Sequence, residues 1–311
     1  MLPGIRVGHV TDLQSLTGCT VILPDRPAVG ALEIAGWAAG VYGIEFLDPR
    51  HVAPTVDGIM LAGGSAFGLE AVWGALAYLE EHGRGYPVGR TVVPHVAGAI
   101  VFDLNVGDHR VRPDRAMGYA ACVAAHPGKV EEGSVGAGTG ATVGKLYGIT
   151  RAMRGGLGCA RVDVDGVAVA ALMVVNAVGD VRDPVTGRLL AGARDSAEGR
   201  ELVDTAAALE AGRPFPTFAP STPPSGSSRP PPASASRRQP ASRTSASRAS
   251  STRSLLRICP RTVTPSSVCP SERSEPSWKP SARRPPRPWP RPSRGPSSTR
   301  RRSPVCPPRE T

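Results

Sequence analysis

The sequence is poor in several features that would define a class of protein at once. Six cysteines in 311 residues are too few for a disulfide scaffold. No apolar run is long enough to cross a membrane, and the first residues, MLPGIRVGHV, contain neither the basic nor the apolar part of a signal peptide. We therefore expect a cytoplasmic protein with no membrane partner.

The motifs of metal and nucleotide chemistry are also missing. There is no C-x-x-C and no H-E-x-x-H pattern, and the six histidines are dispersed. Gly140, Gly144 and Lys145 do not have the spacing of a Walker A loop, and the Rossmann glycine pattern has no clear preceding strand. We expect no metal ion and no organic cofactor.

The last third of the chain has only two glycines and three acidic residues, and this change in composition divides the sequence in two. Residues 1–215 have a net charge of −5 and contain 34 of the 36 glycines. Residues 216–311 have a net charge of +16 and contain 22 of the 33 prolines. The second composition buries too little apolar surface to offset its chain entropy. We therefore expect a globular domain over residues 1–215 and a Pro/Ser/Arg-rich disordered tail over residues 216–311.

The apolar pattern of the first part predicts alternating strands and helices. Residues 20–23 and 58–61 are short apolar runs bounded by turn residues, which is typical of buried strands. Helical spacing predicts helices over residues 65–81, with Ser65 as the N-cap, and over residues 195–209. The alternation indicates a layered α/β or α+β domain.

One polar residue, Asn176, lies near the end of the most apolar segment. Residues 167–177 form a long apolar run, which we interpret as a central strand that leads into Asn176. A buried amide must find hydrogen-bond partners. Asn176 is therefore either a structural, turn-forming residue or the side-chain donor of an oxyanion hole.

Seven segments of the first part stand out as motifs. They are GIRVGHVTD (4–12), TGCTVIL (17–23), LDPR (47–50), GGSAFGLEA (63–71), FDLNVGD (102–108), GSVGAGTGATVGK (133–145) and VVNAVGDV (174–181). Taken together and in order, they resemble the P1 family of peptidases, which includes L-aminopeptidase/D-esterase, β-peptidyl aminopeptidases and the nylon-oligomer hydrolase. The resemblance extends from Gly4 to about Leu209, and it implies a four-layer α-β-β-α sandwich of the self-processing aminopeptidase or ornithine acetyltransferase type, incomplete here.

The resemblance implies an aminopeptidase or amide hydrolase of the N-terminal-nucleophile type. Such enzymes cut their own backbone before a Ser or Thr, and the freed α-amine then serves as the base for the hydroxyl that forms the acyl-enzyme. Asn176 matches the family's oxyanion-stabilising asparagine. Lys145 falls where the nylon-hydrolase branch has a site lysine; otherwise it is a solvated surface charge. The substrate would be a short peptide or amide, and family members form homo-oligomers.

The nucleophile segment of the family is missing from the sequence as written. The self-cleavage motif N-T-T-I-G-V-V-A-T is expected shortly after Leu209. Suppose that the reading frame is shifted, so that each true codon consists of the last base of one written codon and the first two bases of the next. The third bases of the written codons are not known from the protein sequence, and with suitable choices TPPSGSSRP (222–230) becomes that motif. The same shift converts RTVTPSSVC (261–269) into D-G-D-T-V-F-G-L, which is similar to another motif of the family.

We therefore hypothesise a one-base frameshift between about Leu209 and Ser221. The codon of the nucleophilic threonine would combine the last base of the written Thr222 codon with the first two bases of the Pro223 codon. As written, the chain has no nucleophile in this frame, and we expect that it neither cleaves itself nor hydrolyses amides.

Two other functions stay open at this stage. An acidic globular domain with a basic, disordered arm would bind nucleic acid non-specifically through the charge of the tail. High-GC coding read out of frame gives the same tail composition, which favours the hydrolase. A transferase is the other alternative, because ornithine acetyltransferase has a similar fold and a self-cleaved threonine. The glycine motifs resemble the peptidase branch more closely.

Overall fold

The computed structural model describes residues 2–35 and 39–214 and the backbone of one later strand, Ser254–Cys259. Apart from that strand, the predicted disorder of residues 216–311 and both frame-shifted motifs lie outside the described residues. In the described part, no helix is long and apolar enough to cross a membrane.

Most elements of the described chain are strands. The first of them are β1 Ile5–Asp12, β2 Thr17–Pro24, β3 Ala28–Ile34, β4 Val41–Tyr42, β5 Thr55–Val56, β6 Gly58–Ala62, β7 Tyr86–Val88, β8 Thr91–Val93 and β9 Val96–Ile100. The later ones are β10 Thr142–Val143, β11 Met153–Arg154, β12 Gly156–Val164, β13 Val167–Val175, β14 Val181–Arg182, β15 Leu189–Ala191, β16 Ala193–Arg194, β17 Leu202–Val203 and β18 Ser254–Cys259. The α-helices are α1 Ala71–Glu81, α2 Arg115–Val123 and α3 Thr205–Glu210.

A five-stranded sheet with the order β1-β2-β6-β9-β4 is the centre of the fold. The pairs are antiparallel except β6 and β9, which are parallel. Strand β2 is buried along its whole length, because both faces of the sheet are covered. The short apolar runs at residues 20–23 and 58–61 lie in β2 and β6, so both predicted strands are confirmed.

Side chains alternate between the two faces of the sheet along each strand, so the core has two main clusters, one on each face. Cys19, Val21 and Leu23 of β2 pack with α1 and α2 on one face. On the other face, Ile22 packs with residues such as Phe46 and with the partly buried residues of β13. Side chains two positions apart point to the same face of a strand, so one short segment contributes to both clusters.

Helices α1 and α2 approach each other closely because glycines lie at their contact. A Cβ on Gly74 would lie 2.1 Å from the carbonyl oxygen of Arg115, and one on Gly118 would lie 1.9 Å from that of Ala71. Any larger residue would push the helices apart. The described residues thus form a helical layer, a five-stranded sheet and a second layer of strands, which confirms the α/β (α+β) class.

Two local predictions were wrong within the described residues. Strand β13 pairs only with β12 in a two-stranded sheet, so it is not a central strand, and its alternate residues are exposed. The helix expected over residues 195–209 begins only at Thr205. The reason is that β16 pairs with β17, which makes residues 195–201 the loop of a hairpin.

The start of the helical segment at residues 65–81 also differs from the prediction. It opens as a 3-10 helix, Ser65–Glu70, and continues as α1. Its N-cap is Gly64, with a φ of 76°, and no side chain caps the helix. Ser65 itself has a φ of 54°, so it continues the tight turn and is not the N-cap.

Strand β18 lies within the segment for which the composition predicts disorder. It pairs with β3 in antiparallel register, from Ser254 opposite Ile34 to Cys259 opposite Val29. This strand does not distinguish the frameshift from a nucleic-acid-binding tail. Both hypotheses explain the composition of the segment, and neither depends on whether a strand forms there.

We expect that truncation of the cluster under α1 destabilises the protein strongly. Leu79 is fully buried, so Leu79→Ala removes its transfer free energy and leaves a cavity, and should lower the free energy of unfolding by about 3 kcal/mol. Leu13 is 67% exposed, so the matched change Leu13→Ala should cost less than about 0.5 kcal/mol. Urea unfolding of both variants measures the difference, and equal losses would contradict the assignment of this core.

Candidate active site

The side chain of Lys145 is inserted among oxygen atoms from two segments of the chain. Only 9% of the residue is exposed, so the alternative of a solvated surface charge does not apply. The lysine nitrogen, Nζ, donates to Thr142 O at 2.7 Å, Asn176 Oδ1 at 2.9 Å, and the carbonyl oxygens of Asn176 and Ala177, both at 3.1 Å. Three of these acceptors come from residues 176 and 177, more than thirty positions away in sequence.

Backbone contacts hold the two segments together beside this lysine. Gly144 N donates to Gly179 O at 2.8 Å, and Lys145 N donates to Val178 O at 2.7 Å. Gly144 has a φ of 71°, and a Cβ there would lie 1.9 Å from the backbone carbon of Gly192. Glycine is therefore required at position 144 for both its conformation and its packing.

Burial lowers the pKa of Lys145 to about 8. No ion pair of Lys145 occurs among the described residues, so carbonyl and amide oxygens alone solvate the ammonium group. At pH 7 the side chain is still mostly protonated. Near neutral pH it therefore acts as a fixed cation and hydrogen-bond donor.

The hydrogen bonds of Asn176 determine which way its side-chain amide points. Oδ1 accepts from Lys145 Nζ and also from Thr142 N at 3.0 Å. Both groups are obligate donors, so the oxygen must face them and the nitrogen must face away. Nδ2 donates to Phe102 O at 3.0 Å. An amide nitrogen carries two N–H groups, which leaves one directed elsewhere.

Next to Phe102, the carboxylate of Asp103 fixes three loops at this edge of the sheet. Oδ2 accepts from Thr17 Oγ1 at 2.8 Å and Oδ1 accepts from Gly64 N at 2.6 Å. A Cβ on Gly140 would lie 2.6 Å from Asp103 Cβ. Burial raises the pKa of Asp103, which these two hydrogen bonds partly counteract. Asp103 thereby anchors the segment whose carbonyl orients Asn176.

A second carboxylate, Asp180, connects the site to the start of α3. It accepts from Thr205 Oγ1 at 2.6 Å and from Thr205 N at 2.7 Å. Asp204 caps the same helix by accepting from the backbone N–H groups of Ala206 and Ala207. Asp180 therefore ties the start of α3 to the segment that follows Asn176.

The structure brings together both residues that the sequence analysis assigned to the site, Asn176 and Lys145. Thr142, the carbonyl of Phe102 and the anchor Asp103 also take part, and the sequence patterns indicated none of them. Each of the three lies inside a segment quoted for its family resemblance, but a segment match does not say which atoms meet.

The buried cysteines Cys19 and Cys122 form no part of this arrangement. Burial raises the pKa of Cys19 and of Cys122 to about 12, so neither forms a thiolate nucleophile near neutral pH. Among the residues that the structure describes, no group of three or more His, Cys, Asp or Glu side chains could hold a metal ion.

Sequence comparison identifies the family. The profile of peptidase family S58 matches residues 2–212, which is more than half of the chain, so the chain belongs to this family. It is 44% identical over 193 residues to an uncharacterized aminopeptidase of Mycobacterium tuberculosis, covering 59% of this chain and 54% of the relative. It is 34% identical over 185 residues to a 6-aminohexanoate-oligomer endohydrolase of Kocuria, covering 60% and 49%.

Two solved structures are also similar to this chain. A β-aminopeptidase of Burkholderia has a TM-score of 0.45 at 25% identity, with 56% of this chain and 50% of that chain covered. The L-aminopeptidase D-Ala-esterase/amidase of Ochrobactrum anthropi has a TM-score of 0.47 at 18% identity, with 56% and 52% covered. The chain spans about half the length of the curated relatives it matches.

We expect Lys145 to titrate with a midpoint near pH 8 because of its burial. The chain contains only three lysines, Lys129, Lys145 and Lys279, so its ¹³Cε resonance can be followed by NMR and assigned by its loss in Lys145→Met. A midpoint near the ordinary value of 10.5 would contradict the oxygen-lined, desolvated environment.

The same shift predicts how stability depends on pH. The folded-state pKa lies below the unfolded value of 10.5, so the unfolded chain binds more protons between about pH 8 and 10.5. Lys145 therefore makes the free energy of unfolding rise with pH between about pH 8 and 10.5. Below about pH 8 the buried ammonium group destabilises the folded state to its full extent. The rise should be absent in Lys145→Met. Urea unfolding at several pH values tests this, and parallel pH profiles for the two proteins would refute it.

Proposed function

We propose that this chain carries the scaffold part of a self-processing aminopeptidase or amide hydrolase, and that in the written frame it lacks the nucleophile. One observation carries the proposal: the carboxamide of Asn176 is fixed by Lys145, Thr142 and Phe102 with its nitrogen turned outward. A rigid N–H donor of this kind stabilises the oxyanion that forms when a nucleophile attacks an amide carbonyl. Membership of a peptidase family supports the same chemistry.

In this proposal Asn176 and Lys145 have different roles. Asn176 Nδ2 donates its second N–H to the developing oxyanion. Lys145 holds Oδ1 of that amide and, being mostly protonated near pH 7, adds positive charge beside it. The hydroxyl of an N-terminal threonine would attack, its own α-amine would accept the proton, and an acyl-enzyme would form and be hydrolysed.

The nucleophile itself belongs to the part of the chain altered by the proposed frameshift. The family profile matches the chain only up to residue 212, and TPPSGSSRP (222–230) stands where we expect the self-cleavage motif. We infer that this polypeptide neither cleaves itself nor hydrolyses amides, and that a corrected frame does both. Short peptides and ω-amino amides are the proposed substrates, because relatives are described as aminopeptidases and as a 6-aminohexanoate-oligomer endohydrolase.

The proposal predicts different behaviour for the chain as it stands and for its frame-corrected form. The present chain should give a single band at its full mass of 32.3 kDa and release no product from short amides. Insertion of one base between codons 209 and 221 should give two fragments, with cleavage near residue 221, together with hydrolysis. The nucleotide sequence of that region is the accompanying check. Self-cleavage of the uncorrected chain would contradict the proposal, and so would an inert corrected chain.

The role of Asn176 predicts a specific loss of rate in the corrected form. Asn176→Ala should lower kcat by about 100-fold or more, because one oxyanion donor is lost. The chain has one other asparagine, Asn105, which is exposed, and Asn105→Ala is the matched control with an unchanged kcat. Steady-state hydrolysis of a short amide by both variants measures the effect. A similar kcat for both would remove Asn176 from the reaction.

A further inference from the structure

One face of the hairpin formed by β12 and β13 is apolar and exposed toward its free end. In the register of the pair, Val162 lies opposite Val169 and Val164 lies opposite Val167. Each of these four valines is between 51% and 60% exposed. Side chains alternate along a strand, so residues two positions apart share this face. We call it the valine face; it comprises Gly158, Ala160, Val162, Val164, Val167, Val169, Ala171 and Met173.

The opposite face of the hairpin has a different character. Near the base of the hairpin, Leu157 and Val174 pack in the core with Ile22. Near the free end, Arg161 and Asp163 form an ion pair at 3.0 Å, and they are the charged residues of the two strands. A hairpin end that only water surrounds normally has polar residues on both faces. The valine face therefore has the composition of a contact surface.

The chain itself contains little that could cover the valine face. Strand β18, the apolar segment of the last third, pairs with β3. Outside β18, residues 216–311 contain no Leu, Ile or Met and only three valines. Their net charge of +16 also opposes burial against an uncharged surface. We therefore expect another molecule to cover the face.

The chemistry of the valine face restricts what that molecule is. Its eight residues include no basic group that could bind phosphates, which argues against a nucleic acid. They include no Trp, Tyr, Lys or Arg, the residues that anchor a surface at a membrane interface. Contacts between identical subunits are the more apolar class of protein interface. A second copy of this chain presents the same uncharged surface and therefore fits best.

We propose that the valine face is the contact between two copies of this chain, which pack face to face across a twofold axis. Such a contact places the valines of one copy against those of the other and buries no charge. From strand geometry, the face is about 20 Å long and about 10 Å wide. This is smaller than the contact of a permanent dimer, so the dimer is reversible and depends on concentration. The inference goes beyond the proposed function and does not depend on it.

Sedimentation velocity of the full chain tests the contact directly. Between about 5 and about 500 µM, the weight-average mass of the wild type should rise from 32.3 kDa toward twice that value. Val162→Lys/Val169→Lys places like charges in the contact, so this variant should stay at 32.3 kDa. Val52→Lys/Val185→Lys is the matched control, because these valines are 82% and 91% exposed and lie outside the valine face. The control should associate like the wild type.

A milder variant keeps the test decisive if the lysine variant does not fold. Val162→Thr/Val169→Thr retains the β-branched shape that suits a strand and removes apolar surface from the contact. The Kd of its dimer should be about tenfold higher than that of the wild type, with an unchanged far-UV circular dichroism spectrum. An unchanged Kd would contradict the proposal.

Two further results would overturn the proposal. One is a folded lysine variant that dimerises like the wild type, because the contact would then lie elsewhere. The other is a wild type that stays monomeric at about 500 µM. If that monomer bound phosphatidylcholine vesicles and the lysine variant did not, the valine face would be a membrane contact instead.

Discussion

The candidate site depends on one interaction, the placement of the Lys145 ammonium group among four oxygen atoms. Removing an ammonium group from water is costly, and no carboxylate of the described chain offsets that cost, so its pKa falls to about 8. The four acceptors come from the segment around Thr142 and from residues 176–177. The lysine thus joins two distant segments and determines the orientation of the Asn176 amide between them.

Glycines and a buried carboxylate make this arrangement possible. Gly144 allows the chain to approach Gly192, and Asp103 ties its own loop to Thr17 and to Gly64. These contacts explain why the segments 63–71 and 133–145 are rich in glycine, although neither segment contains a nucleotide-binding pattern. Their function is close packing of loops around a polar centre.

The sequence allowed the central elements to be predicted but not the contacts of the site. The apolar runs at residues 20–23 and 58–61 do form strands, because a strand whose two faces are both buried has apolar residues at consecutive positions. The helix expected over residues 195–209 failed, because pairing of β16 with β17 outweighs a local helical pattern. Lys145 was predicted from family resemblance, and Asn176 both from its position after an apolar run and from that resemblance. Their contact, and that of Thr142, joins residues more than thirty positions apart, where local patterns carry no information.

The chain belongs to peptidase family S58, and we propose that it carries the scaffold part of such a hydrolase without the nucleophile. The most direct test of the central claim is the ¹⁵N NMR spectrum of the side-chain amides, since the chain has only two asparagines. The account predicts that the Asn176 amide proton bonded to Phe102 O exchanges more slowly than the amide protons of Asn105, and that Lys145→Met removes this protection. Exchange of Asn176 as fast as that of Asn105, and unaffected by Lys145→Met, would contradict it.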